Sequence, residues 1–187
     1  MAMSPVELCS AALVKLGARG IEDFGDGRVE ATVAATLYPL IRDSLLTAYP
    51  WGFTLKRSVL DQPETLTVGS YRRRFSLPDD FLRAIALEDA GGVGYEIVGG
   101  ALQSNALTPT LAYQFRADES AFPVYFQTAL VARLAAEFCL PITENTSRAE
   151  TLRQIAEAEF ARARQAERLQ DTPATLQDWG LIDARFS

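Results

Sequence analysis

The chain has 187 residues, 48% of them hydrophobic, with a formal net charge of −6 and no histidine. A chain of that length buries roughly 70% of the surface its unfolded form exposes, so one solid core is expected, with room for an inserted subdomain. Without histidine the chain lacks Ser-His and Cys-His nucleophiles, the commonest zinc ligand and the usual general base near neutral pH; its acidic balance argues against gripping nucleic acid, which needs clustered basic groups.

The opening residues, Met1-Ala2-Met3-Ser4-Pro5, carry neither the basic nor the apolar region of a signal peptide, and a soluble intracellular protein is expected. Ser4 can cap a helix, Pro5 sits where its missing N–H costs nothing, and Glu7 completes a capping box. Leu8, Ala12, Leu13 and Leu16 form the apolar stripe of this first helix, and Gly17 ends it. Residues 17–27 read as a glycine- and acid-rich loop held to the core by Ile21 and Phe24. Gly25-Asp26-Gly27 has too few ligands for a calcium loop and lacks the spacing of a phosphate cradle. A longer helix is predicted over 28–48, with Val29, Val33, Leu37, Leu40, Ile41, Leu45 and Ala48 at helical spacing. Pro39 inside it predicts a kink or break near residues 36–38. The helix then runs into an aromatic corner, Tyr49-Pro50-Trp51-Gly52-Phe53, that holds no catalytic residue.

From there the period shortens. Residues 54–60, 71–77, 82–87, 95–98, 101–103 and 111–116 read as strands of a small antiparallel sheet, separated by Gly, Pro, Asp and Asn. Leu77-Pro78-Asp79-Asp80-Phe81 turns the chain, and Gly91-Gly92-Val93-Gly94 and Gly99-Gly100 read as hairpin tips. Helices return after Ser120. Residues 122–140 are apolar on nearly every face, as in the central helix of a bundle, with Gln127, Thr128 and Arg133 interrupting the run well short of a membrane span. Pro141 is expected to stop this helix. Ser147-Arg148-Ala149-Glu150 reads as a second capping box, opening a helix to about Leu169. Leu152, Ile155, Phe160, Ala163 and Ala166 give its inner stripe, and Glu157, Glu159, Arg162, Arg164, Glu167 and Arg168 its charged outer face. Beyond it, residues 170–187 present Leu176, Trp179, Leu181, Ile182 and Phe186 with little chain left to bury them. Cys9 and Cys139 form no CxxC spacing and read as buried, reduced thiols; no metal or other cofactor is expected.

The ordered set of motifs resembles the phage head-to-tail adaptor family typified by tail tubular protein A. It comprises the early helix with its glycine- and Asp-rich loop, the corner Arg42-Asp43-x-Leu45-Leu46-x-x-Tyr49-Pro50-Trp51-x-Phe53, and Tyr71-x-Arg73-x-Phe75-x-Leu77-Pro78-x-Asp80-Phe81. The Ala-rich Leu130-Val131-Ala132-Arg133-Leu134-Ala135 and a terminal Asp183-Ala184-Arg185 follow. Where the family pattern places tryptophan directly before Leu-Asp-Ala-Arg, this chain has Trp179-Gly180-Leu181-Ile182-Asp183-Ala184-Arg185. The resemblance implies an α+β fold: a mainly α-helical bundle (1–53 and 120–169) with an inserted small antiparallel β-rich subdomain (54–119) and an extended C-terminal tail (170–187). It further implies a homo-oligomeric ring, usually a dodecamer, at the head-tail interface of a virion assembled in the host cytoplasm. Such a ring docks beneath the portal protein and continues the DNA channel, through which genomic DNA passes without sequence-specific binding. It offers a platform to the next tail protein, whether nozzle, stopper or tail terminator, and touches no membrane. The tail, with Leu176, Trp179, Leu181, Ile182, Asp183, Arg185 and Phe186, would reach the portal.

Blander readings stand beside these. Arg42, Asp43, Tyr49, Trp51 and Phe53 form a structural corner plugging the seam between helices and sheet, since aromatics most often bury their area within their own domain. Strand alternation sends Arg73 away from Arg72 and Arg74, so these three make no single basic patch. Asp79-Asp80 is ordinary turn chemistry after proline rather than an acid/base pair. The tail could instead fold back on its own subunit, although Asp171-Thr172-Pro173 breaks the preceding helix and frees it to leave. The alternative from another class is a small cytosolic α+β enzyme or ligand-binding domain with a pocket between sheet and bundle; the missing histidine, phosphate loop and metal spacing weigh against it.

Overall fold

A computed structural model describes residues 3–88 and 90–170. Within them the fold is α+β: helices α1 (Pro5–Lys15) and α2 (Val29–Thr47), then seven strands, then helices α3 (Val124–Thr143) and α4 (Thr146–Arg168). The strands are β1 (Leu55–Val59), β2 (Glu64–Thr65), β3 (Arg73–Ser76), β4 (Phe81–Glu88), β5 (Tyr95–Val98), β6 (Ala101–Ser104) and β7 (Thr110–Phe115). Short 3-10 turns, Gly52–Thr54 and Glu119–Ala121, join sheet to helices on either side.

The α1 boundaries follow from local chemistry. The Ser4 hydroxyl accepts from the Glu7 N–H while the Glu7 carboxylate accepts from the Ser4 N–H, satisfying two donors that a helix start leaves open. At the other end Gly17 takes φ +70°, a left-handed conformation. From there Gly17 N–H bonds the Val14 carbonyl and Ala18 N–H the Leu13 carbonyl, the paired pattern of a glycine-terminated helix. The loop beyond is tied down by the Ser10 hydroxyl, which bonds both the N–H and the carbonyl of Ile21.

Helix α2 does not break where a break was expected, and its buried face differs in part from the predicted stripe. It is continuous through Pro39, because Ala35, whose carbonyl loses its partner, lies on the exposed side where solvent can satisfy it. Its buried face is Ala31, Ala34, Tyr38, Leu45 and Leu46. Of the predicted stripe, Leu45 is buried and Val33, Leu37 and Ile41 pack against the core, whereas Val29 is 65% and Leu40 67% exposed. Helix α3 is the most buried helix, contributing Phe126, Leu130, Leu134, Phe138 and Cys139 to the main core. Pro141 does not stop it. The helix runs one turn past that position's predicted end, to Thr143, and closes on Glu144 in a left-handed conformation (φ 52°).

That leaves two residues between α3 and α4, and Asn145 rather than Ser147 caps α4, its side chain accepting from the Arg148 N–H at 2.9 Å. The inner line of α4 keeps Leu152, Phe160 and Ala163 of the predicted stripe against the core and differs at its other positions. Ala149, Ala156 and Ala163, spaced seven apart, are buried, with Ala156 against Ala132 and Ala136 of α3; Ile155 is 45% exposed. Glu167, expected on the charged outer face, is buried.

The strands form two antiparallel sheets, not one: a three-stranded sheet β1-β7-β4 and a four-stranded sheet β2-β3-β6-β5. The turn at residues 77–80 passes the chain from one sheet to the other, and after β4 it returns by way of residues 90–94. Gly91-Gly92 is therefore no hairpin tip, since β4 and β5 do not pair. Gly99-Gly100 is one: both take positive φ (+57°, +73°), closing a two-residue turn between β5 and β6. The two-residue strand β2 was not foreseen. Between the sheets Leu60, Phe75, Leu102, Leu111 and Tyr113 make a small second core, while the helices and the Trp51 corner make the large one. Phe115 packs against both.

Candidate functional site: the aromatic corner and a cleft on the bundle

An α-helix leaves its last carbonyls without partners, and α2 ends with neither a glycine nor a basic residue in its last turn. Three side chains from elsewhere supply the donors. Trp51 Nε1 bonds the Leu45 carbonyl at 3.0 Å, Gln114 Nε2 the Leu46 carbonyl at 3.0 Å, and Arg83 Nη1 the Thr47 carbonyl at 3.0 Å. Gln114 also reaches the Tyr49 carbonyl at 2.7 Å and Thr54 Oγ1 at 3.0 Å, so one amide on β7 holds the whole corner.

The corner itself is an aromatic cluster. Trp51 is fully buried, with ring centroids 5.0 Å from Tyr49, 5.2 Å from Phe126 on α3 and 5.9 Å from Phe160 on α4. Phe53 extends it to Phe122 and Phe126. Glu167 near the end of α4 closes it, accepting from the Gly52 N–H at 2.5 Å and from the Tyr125 hydroxyl. A Cβ at position 52 would stand 2.9 Å from the Glu167 carboxylate, which would have to shift to admit it. Burial first, and then the bond to Glu167, pushes the Tyr125 hydroxyl pKa well up.

Arg42 and Asp43 sit on the polar flank. Arg42 pairs with Asp43 (2.9 Å) and with Glu119 (3.1 Å); Glu119 also accepts from the Tyr38 hydroxyl (2.7 Å), and Asp43 pairs with Arg116 (2.8 Å). Burial pushes the Glu119 carboxyl up, but the hydrogen bonds from Tyr38 and Arg42 outweigh it and hold the group below its ordinary value. The structure thus brings Arg42, Asp43, Tyr49, Trp51 and Phe53 together as one structural joint. Leu176, Trp179, Leu181, Ile182, Asp183, Arg185 and Phe186 lie outside the described residues.

The remaining candidates resolve into structural roles. Asp80 takes the Lys56 ammonium at 2.6 Å and the Tyr113 hydroxyl at 3.0 Å; Lys56 foremost holds its carboxyl below the usual range. In return, after burial, Asp80 helps push the Tyr113 hydroxyl up to about 12. Arg73 donates to the Asn105 carbonyl and Arg74 pairs with Glu64 across β2-β3. Both cysteines are free and buried, and burial pushes the Cys9 thiol up to about 12.

Two hollows of about 340 Å³ lie elsewhere. The first is a cleft between α2, α3 and α4, floored by Leu40, Ile41, Leu45, Ala48, Ala156 and Phe160. On its rim Arg133 pairs with Glu137 (3.2 Å) and Glu157 (2.9 Å). The second runs beside Ser58 to Gln62 and Ser76 to Pro78. Neither joins sheet to bundle. Among the described residues no group of three or more His, Cys, Asp or Glu is placed to hold a metal ion, and no helix is long and apolar enough to cross a membrane. No protein-family model and no curated protein matches the chain.

Sequence reasoning missed Gln114, Glu167, Glu119 and Arg83 as parts of the joint. The one signal available for them was the uncapped end of α2, which calls for donors without saying from where.

Proposed function

We propose that the chain is a structural, non-enzymatic virion protein: a ring-forming head-to-tail adaptor that docks under the portal protein, continues the DNA channel and carries the next tail component. The observation that carries this reading is what the motif residues of 42–53 do. Every one of Arg42, Asp43, Tyr49, Trp51 and Phe53 holds elements of the subunit to one another, with the chemistry of a rigid joint rather than of a reacting centre.

Rigid coupling of sheet to bundle is what a ring subunit requires, because heterologous contacts close a ring only if each copy presents two complementary faces at a fixed angle. The exposed face of α4 suits one such contact. It carries both charge signs, with Glu150 and Arg153, and Glu159 and Arg162, paired along the helix. In this reading residues 176–186 reach the portal, DNA passes through without sequence-specific contact, and the ring is a dodecamer.

Mass photometry of the full chain, alone and mixed with the portal protein of the same virus, tests the reading. A portal-bound ring is expected, and a chain ending at Thr175 should stay folded yet fail to join. A full chain that stays monomeric and never sediments with portal would overturn it.

A further inference from the structure

We infer that the cleft between α2, α3 and α4 is the seat of the chain's own 171–187 segment, with Trp179 against its floor. The cleft floor is apolar and open at Leu40, which is 67% exposed beside Ile41 and Phe160, with Ser44, Arg133, Glu137 and Glu157 completing the lining. Its volume of about 340 Å³ lies at the lower end of ligand-sized hollows, room for an aromatic ring with an aliphatic neighbour.

Reach favours the same chain. Helix α4 delivers the backbone at Gln170, and Phe160 and Ala156 lie about 15–21 Å back along it at 1.5 Å per residue. The stretch from Gln170 to Trp179 spans up to about 30 Å when extended, so the segment can double back after Pro173, which cannot continue the helix. A tethered segment also meets its site at an effective concentration of order mM, which a second copy does not match in dilute solution.

One polar group near the floor points the same way. The Arg164 guanidinium lies 5.1 Å from the Phe160 ring centroid, and its buried Nε has no hydrogen-bond partner among the described residues. Asp178, directly before Trp179, supplies an acceptor for it. Leu176, Trp179, Leu181 and Ile182 supply the apolar groups for the floor, and Arg164 stands clear of the rim on which Arg133 is already paired with Glu137 and Glu157. This seat belongs to the free subunit and does not depend on the portal reading; in a ring-forming subunit the segment would leave the cleft to reach its partner.

The full chain, without any partner, supplies the test. It has two tryptophans, and Trp51 is fully buried, so acrylamide quenching reports on Trp179. Trp179 should be shielded in the native protein at every protein concentration. Leu40→Asp, at an exposed position, should raise quenching several-fold, and adding Trp179→Phe should abolish that rise. If circular dichroism shows Leu40→Asp to be unfolded, Ala48→Arg on the same wall replaces it. Equal quenching in native and cleft-altered proteins would overturn the proposal. So would shielding that grows with protein concentration, which places a second copy's segment in the cleft. No portal is present, so failure here leaves the ring reading intact.

Discussion

At the scale of single residues, Trp51 and Glu167 carry more of the fold than their neighbours. Trp51 fills the meeting point of α2, α3 and α4 and closes a helix carbonyl at the same time. Trp51→Ala should cost about 4 kcal/mol from lost burial and the cavity left behind. Trp51→Phe keeps most of the apolar area but strands the Leu45 carbonyl, and should cost about 1–3 kcal/mol. Urea unfolding midpoints check the order, and equal losses for the two would mean that the ring's burial adds nothing beyond the indole N–H bond. Glu167→Ala leaves the Gly52 N–H and the Tyr125 hydroxyl without their acceptor and should cost about 3 kcal/mol by the same measurement. The importance of Trp51 was legible in the chain, because an aromatic run after a helix is a local pattern. Glu167 was not: among the Glu and Arg of α4 it looks like another solvated charge. Only the approach of Gly52, 115 positions away, makes it an acceptor.

At the scale of elements, local rules sufficed where the determinants are local. The Ser4-Glu7 box and Gly17 set both ends of α1 within a few residues of chain. The same rules misplaced the start of α4, where Ser147-x-x-Glu150 has the right letters but the tight two-residue link from α3 makes Asn145 the cap. Pro39 shows why a helix breaker need not break. Its cost is an open carbonyl, and on the exposed side of α2 that carbonyl faces water. Pro39→Ala restores a donor without touching the core and should stabilise the protein by about 1–3 kcal/mol; a midpoint that falls would show the proline ring to be a favourable contact. Acid should loosen the joint between α2 and the turn before α3. Glu119 titrates below its ordinary 4.5 when folded, so its contribution is complete above that pH and is lost as pH falls through the folded value. The urea midpoint should drop below about pH 4.5, and Glu119→Gln should flatten part of that drop. An unchanged slope would assign acid lability to other carboxylates such as Asp80.

At the scale of the whole molecule, the positions of the strands other than β2 were readable while the division into two sheets was not, because sheet membership is decided by side chains far apart in the chain. Phe75 of β3 and Leu102 of β6 meet Leu111 and Tyr113 of β7, whereas Gln114, the next residue along β7, faces the bundle. The three-stranded sheet therefore serves both cores, joined through Phe115, and no described hydrophobic residue of the four-stranded sheet packs on the helical core. This arrangement predicts graded stability. Phe75→Ala opens a cavity in a core of few members, a loss of about 3–5 kcal/mol to whatever unit depends on it. That unit is the four-stranded sheet, which should open without taking the helices with it. Hydrogen exchange should then quicken at the amides of β3, β5 and β6 while those of α1 and α3 keep their protection. Leu134→Ala, in the centre of the helical core, should instead quicken both, since the three-stranded sheet hangs on the end of α2 through Gln114 and Arg83. Uniform acceleration by both substitutions would mean that the two cores unfold as one, and that the joint transmits every loss from sheet to bundle.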